Sequence, residues 1–436
     1  MDQLAIILAC TSPVLGTTLF NQMNAICSGL LCMTGRITML GISRWTGKGC
    51  SYRTVQRFFQ SIICWDKLNW IIIKRQLKET STLVLGGDGT VVTKAGKFTY
   101  GIGKFFSSIQ SKMVRGIGLQ TISVIDIVKK KSWPILIEQM QPKKSEEKEI
   151  ENIDKPKRGR GRPKGSKNKN KQEAALNAEM QQIKSMLLKV KSLLAECSKV
   201  TIKYFVYDGA LGNNAGLQMV LQSGFQLVSK LKNNSALYLP WVGGYAGKGA
   251  PRKYGLKLDF RAISEKYLKF ENNEDGMLTR YFQLEILSKS FACPLNIVVI
   301  YKKNLETGKI AHVILFSSDL GLGWEKIVEY YNARFQIEFN FRDAKQFWGL
   351  EDFMVVKEVC VNNAVNLSFF MVNLSQSLLP VSNAASINDL KSHYHGLRYV
   401  DEVFKLLPKN ADIIKKEQLI EQLSALGRIH EVQKAA

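Results

Sequence analysis

Tyr331, Arg334, Glu338 and Lys345 stand at offsets of 0, 3, 7 and 14 in YYNARFQIEFNFRDAKQFWGLEDF, residues 330 to 353, which holds no Gly or Pro before WGL. On a continuous helix at about 100° per residue they share an arc of roughly 60° on one face. Phe335 and Phe339 border that face on one side, and Ile337 and Phe341 on the other. An acid and two bases hemmed by aromatics suit a cleft better than open solvent. A cation beside a carboxylate suits a cleft that receives phosphate. Two further acids end apolar strand-like runs: Asp88 in STLVLGGDGTVV and Asp208 in VTIKYFVYDGALGN. Strand ends fan out, so side chains there can reach a shared site. Carboxylates brought together repel one another unless divalent cations lie between them. Hard oxygen donors in a chain with four histidines and no C-x-x-C pair point to Mg²⁺ or Mn²⁺ rather than zinc. Two such ions about 4 Å apart activate a water or a 3′-hydroxyl and stabilise the leaving oxygen in phosphodiester chemistry.

The composition agrees with a polyanionic partner. The chain of 436 residues carries a formal charge of +24, with a pI near 9.6, which favours nucleic acid over an anionic membrane surface. An apolar fraction of 45% with 10 Pro indicates a folded chain of two or three domains. Its eight cysteines (10, 27, 32, 50, 64, 197, 293 and 360) are scattered, as fits a reducing cytoplasm. The apolar start MDQLAIILACTSPVLGTTLF lacks a basic leader and contains Pro13, so it reads as a packed first helix rather than a signal peptide. No other segment is expected to reach the roughly 18 apolar residues of a membrane span.

Residues 1 to 80 read as helical. Within them RITMLGISRWTGKGCSYRTVQRFFQSI has a helix-turn-helix pattern, with Gly47 and Gly49 in the turn and Ser51 as N-cap. An ordinary pair of surface helices has the same pattern. STLVLGGDGTVV, GIGLQTISVIDIV and WPILIEQM read as three antiparallel strands. From Lys155 through Lys171 there are nine basic residues, no acid and no hydrophobic residue; such a segment cannot bury a core and reads as a disordered arm. A helix-periodic stretch, the Asp208 strand, a strand-rich region and terminal helices follow.

Tyr331-x₂-Arg334-x₃-Glu338-x₆-Lys345 resembles, at every spacing, the Y-R-E-K motif of DDE cut-and-paste transposases of bacterial insertion sequences. Asp88-Gly89-Thr90 and Asp208-Gly209 resemble the first and second acidic motifs of that group, and the likeness covers roughly residues 80 to 375. It implies an α/β fold: an RNase H-like catalytic core interrupted by a β-strand-rich insertion domain, with an N-terminal helical DNA-binding domain. The implied divisions are 1–80 for the DNA-binding domain, then 81–142, 199–231 and 325–380 for the three parts of the core. A basic arm and helix occupy 143–198, the insertion 232–324 and a helical tail 381–436.

By the same resemblance Asp88, Asp208 and Glu338 are catalytic and hold Mg²⁺, with Mn²⁺ able to substitute. Tyr331 and Arg334 hold a phosphate near the cleaved end, and Lys345 contacts the DNA backbone. The implied partner is double-stranded DNA, both element end and target, bound by a dimer in the synaptic complex of a cytoplasmic, nucleoid-associated bacterial protein with no membrane association. Relatives hold a flipped base on an aromatic of the insertion, for which Trp241 and Trp324 are the candidates, although each reads more readily as a core aromatic. The arm departs from the group's pattern. Its RGRP, with Arg160 and Arg162, resembles an AT-hook core that lies in a narrow A·T minor groove, and also reads as a plain polybasic linker. The activity implied is cutting of element ends and their joining to target. The alternatives are a catalytically inactive DNA-binding relic or repressor, and an RNase H-like nuclease without strand transfer.

Overall fold

A computed structural model describes residues 3–47, 49–78, 81–107, 110–142, 170–196, 201–245, 247, 249–382 and 384–406. The arm with Arg160 and Arg162, Cys197 and the tail beyond 406 lie outside the described residues. Five helices come first: α1 (Gln3–Ala9), α2 (Ser12–Cys32, broken at Gly16), α3 (Met39–Trp45), α4 (Tyr52–Gln60) and α5 (Trp65–Lys74). The turn between α3 and α4 uses left-handed Gly47 and Gly49, and the Ser51 hydroxyl caps α4 by accepting from Thr54 N. Val55, Phe58 and Phe59 of α4 face inward, while Arg53 and Arg57 face solvent.

Strands β1 (Leu83–Thr93), β2 (Gly103–Ser107), β3 (Lys112–Asp126) and β4 (Lys131–Gln139) follow, then α6 (Ala178–Ala195), β5 (Tyr204–Val206), α7 (Asn214–Gln222) and β6 (Gln226–Leu231). Five of these strands lie side by side as β4-β3-β1-β5-β6. The first three are antiparallel, and β1, β5 and β6 are parallel. In order of appearance among those five this is 3-2-1-4-5, the RNase H-like arrangement. The short β2, GKFFS, is an addition to the expected meander; it pairs with the first five residues of β3.

Next come β7 (Tyr238–Pro240), β8 (Tyr254–Lys257), β9 (Leu268–Glu274), β10 (Met277–Ile286), β11 (Leu295–Asn304) and β12 (Ile310–Ser317). β12 pairs with β6, and β11, β10 and β9 follow outward, so these strands extend the core sheet rather than forming a sheet of their own. β7 and β8 pair separately as a hairpin. The last helices of the described residues are α8 (Trp324–Ala333), α9 (Gln336–Phe347), α10 (Glu358–Leu378) and α11 (Ile387–Leu406).

The helix expected across residues 330 to 347 is therefore two helices. At the join Arg334, Phe335, Ile337 and Glu338 donate their N–H groups to carbonyls three residues back, a tightened turn. A second correction concerns apolar length. The segment Glu358–Val381, which contains α10, is long and apolar enough to cross a membrane, yet 78% of its most apolar stretch is buried within the fold. It is the central helix of the core.

The N-terminal helices share that core rather than standing apart from it. The buried Asn363 on α10 accepts from Trp65 Nε1 (2.8 Å) and donates to the carbonyls of Phe59 (2.9 Å) and Ser61 (2.7 Å). Ten residues farther along α10, Asn373 donates to Asn69 Oδ1 of α5 and to Pro134 O of β4, which ties α5, α10 and the sheet together. Asn363→Ala strands one indole N–H and two carbonyls in the core. We expect a loss of about 3 kcal/mol in denaturant unfolding, with Trp fluorescence and far-UV circular dichroism still falling in one transition.

Lys391 of α11 reaches Leu30 O (2.8 Å) over the Trp348 ring, and burial pushes its ammonium down to about 8. The unfolded chain holds that proton up to about 10.4, so between these values the unfolded state binds more protons and stability rises with pH. Lys391→Met should remove that part of the rise between pH 8 and 10 in thermal melts. An identical pH dependence in both proteins would refute the assignment.

Candidate active site

Asp88 sits in the middle of β1, not at its end as the GGDG sequence suggests. The strand continues to Thr93, and Asp88 lies opposite Thr121 of β3. What ends beside it is β5. The parallel register Leu85↔Phe205, Gly86↔Val206 closes at Val206, so two residues farther Asp88 and Asp208 emerge at the same level of neighbouring chains, whose spacing is about 5 Å. Gly86 explains how a helix covers this point. A Cβ there would sit 2.5 Å from Ile125 Cδ1 and 2.8 Å from Ile337 Cδ1 of α9. Side chains at even positions of β1 thus face α9, and Asp88 is one of them.

The break between α8 and α9 delivers the remaining groups. Arg334, at the break, donates from Nη1 to Asp88 Oδ2 at 2.6 Å, with both side chains about four-fifths buried. Its Nε is buried with no partner among the described residues. Ile337 is buried against β1, and the next residue, Glu338, is exposed. Burial raises the Asp88 carboxyl above its ordinary range. The Arg334 guanidinium and the Gly89 N–H pull it back, while the charges of Asp208 and Glu338 push it up. Burial also raises the half-buried Tyr331 phenol, Arg334 lowers it, and Asp208 and Asp88 raise it. Tyr331, Arg334, Asp88 and Asp208 therefore share one neighbourhood, and the charge of Glu338 reaches Asp88.

Lys345 lies farther along. Its Nζ donates to Val91 O of β1 (3.3 Å) and pairs with Glu351 (3.4 Å), and its side chain is mostly buried. The aromatic border is asymmetric: Ile337 and Phe341 are core, while Phe335 and Phe339 form an exposed edge-to-face pair beside Glu338. Trp324 stacks on Phe270 and packs against Tyr281, so it belongs to a framework cluster. Trp241 is a surface residue of the β7–β8 hairpin, with the Arg252 guanidinium 4.1 Å from its ring.

Positioning groups without a sequence motif complete the site. Thr121 Oγ1 (3.0 Å) and Gln120 Nε2 (3.3 Å) donate to Asp88 O, and Ser229 Oγ donates to Asp208 O (2.6 Å). The buried Tyr207 hydroxyl donates to Gln120 Oε1 (3.1 Å), joining the strand of Asp208 to the backbone of Asp88. Only the strand register reveals these partners. The donor set of Asp88, Asp208 and Glu338 is all carboxylate, which fits Mg²⁺ or Mn²⁺. As they stand, no three acid, His or Cys side chains among the described residues converge closely enough to hold an ion, and Arg334 occupies Asp88.

Asp88 within β1 and Asp208 just past the end of β5 thus lie at one level of an RNase H-like sheet, beside the covering helix α9. The DDE superfamily endonuclease family matches residues 11–279, which include Asp88 and Asp208 and stop short of Glu338. That is more than half of the chain, and the chain belongs to this family, that of DDE transposase-type proteins. No curated protein matches it.

Gly86→Ala tests the contact that seats α9. The added methyl must displace Ile125 or Ile337, so we expect a loss of about 1–3 kcal/mol together with loss of any catalytic activity. Unchanged stability would show that α9 does not rest on this glycine.

Proposed function

We propose that the protein is a transposase that cuts the ends of an insertion sequence and joins them to target DNA. The observation that carries this reading is the meeting of Asp88 and Asp208 on neighbouring chains, with Arg334 and Glu338 brought over them by the α8–α9 break. Asp88, Asp208 and Glu338 would hold Mg²⁺, or Mn²⁺ in its place. Bound there, two such ions activate the attacking hydroxyl and stabilise the leaving oxygen. Arg334 has a donor to spare in its Nε, which has no partner among the described residues, and would turn from Asp88 to a phosphate of the bound strand, with Tyr331 beside it. Lys345 would contact the backbone on the β1 side of the site.

Outside that centre, α4 presents Arg53 and Arg57 and would read DNA as the second helix of a helix-turn-helix. Arg160 and Arg162 of the arm would lie in the minor groove. Trp241, exposed on its hairpin, suits a flipped base better than Trp324 does. Cutting two element ends together calls for a dimer on DNA, in the cytoplasm of a bacterium.

A labelled duplex carrying the element end should be nicked with Mg²⁺ and left intact with EDTA. Loss of a group that merely supports a metal ligand lowers activity about 10–100-fold, so Glu338→Ala should lower nicking at least about 100-fold while duplex binding persists. Tight binding of the cognate end with no nicking by the wild type would leave a DNA-binding relic. Nicking without joining would leave a nuclease.

A further inference from the structure

From Gly89 to Ile125 the chain carries Lys94, Lys97, Lys104, Lys112 and Arg115 and not one Asp or Glu. Within this segment lies the antiparallel ribbon of β2 and the first part of β3, in which Lys104 lies opposite Arg115 and Phe106 opposite Met113. Directly opposed residues share a face, as do residues two apart, so these four form one patch. The other face is anchored: Val114 is buried there, and the Phe105 ring opposite it packs against Gly103 and Gly118. The patch itself is open. Phe106 and Met113 are 62% and 58% exposed, and Lys104 and Arg115 are exposed as well. No hydrogen bond or ion pair among the described residues engages either cationic side chain.

Two cations set directly across a strand pair destabilise it, and a bare Phe–Met pair loses what burial would supply. A lysine on a short edge strand does deter pairing with other chains. That accounts for Lys104, but not for Arg115 opposite it or for the apolar pair beside them. The position of the patch is set by register. β3 pairs without a shift from Asp88↔Thr121 to Thr93↔Gly116, then with β2 from Gly103↔Gly116 onward. Thr121, Arg115 and Met113 are therefore on one face, the face on which Asp88 points to α9. Six to eight residues of strand span about 20–27 Å. Lys345, on Val91 O, stands along the way.

We propose that the β2–β3 ribbon is a docking surface for duplex DNA flanking the cleaved bond, about six to eight nucleotide steps of 3.4 Å away from it. Lys104 and Arg115 take backbone phosphates, and Phe106 and Met113 press against the sugars beside them. A two-stranded ribbon is also of a width that enters the major groove. The inference rests on the DNA-cutting reading above and adds a surface to it.

The test compares wild type with Lys104→Gln/Arg115→Gln, binding a fluorescent element-end duplex across a salt series. Replacing two phosphate contacts should reduce the slope of log K against log salt by about two. A hydroxyl-radical footprint should lose its protection six to eight nucleotides from the nick while keeping that at the nick. A Lys104→Arg/Arg115→Lys exchange should restore both. If wild type binds the duplex and the Gln variant retains slope and footprint, the ribbon is not a docking surface. If wild type itself fails to bind any duplex, the DNA-cutting reading falls, and the ribbon proposal with it.

Discussion

The contact between α9 and β1 across Gly86 governs the rest of the site. A helix laid on a strand normally keeps its distance because side chains stand between them; here the strand has none at the crossing point, and Ile337 fills the space. That close seating lets Arg334 reach Asp88 at 2.6 Å and sets Glu338, the neighbour of Ile337, at the rim. It also accounts for the break between α8 and α9. A helix running straight on from α8 would have to satisfy the Tyr331 and Arg334 positions and the Ile337 seat with one axis, and the tightened turn at Arg334–Phe335 supplies the change of direction.

Electrostatics give the same site a built-in tension. Asp88 is drawn from water, which disfavours its charge, and two further carboxylates add to that penalty. Arg334 offsets part of it. The proposed exchange of Arg334 from Asp88 to a phosphate would shift that balance, because the same guanidinium cannot serve both. The backbone beneath is held independently of the charges. Thr121, Gln120 and Ser229 fix the carbonyls of the two aspartates, and Tyr207 couples the two strands through Gln120.

How much of this was legible in the sequence depended on whether the cause was local. Asp88 and Asp208 stood out because a single acid closes an apolar run, and the Y-R-E-K spacing because a helical period survives even when the helix is bent. The bend itself had no local mark, since neither Gly nor Pro lies there and the pull is tertiary. Asp88 read as the end of its strand because Gly-Gly-Asp-Gly resembles a turn, whereas pairing with β3 carries the strand through it. GKFFS is too short to announce a strand, and Thr121, Gln120 and Ser229 acquire meaning only from register. Sequence alone also could not say that the N-terminal helices would be cemented to α10, because Trp65 and Asn363 are nearly three hundred residues apart.

That cementing ties α4, α5 and the sheet to one helix, α10, whose Asn363 and Asn373 hold the carbonyls of Phe59, Ser61 and Pro134. α10, 21 residues long, thus couples the α4 end of the chain to β4, so a substitution that loosens it disturbs both together.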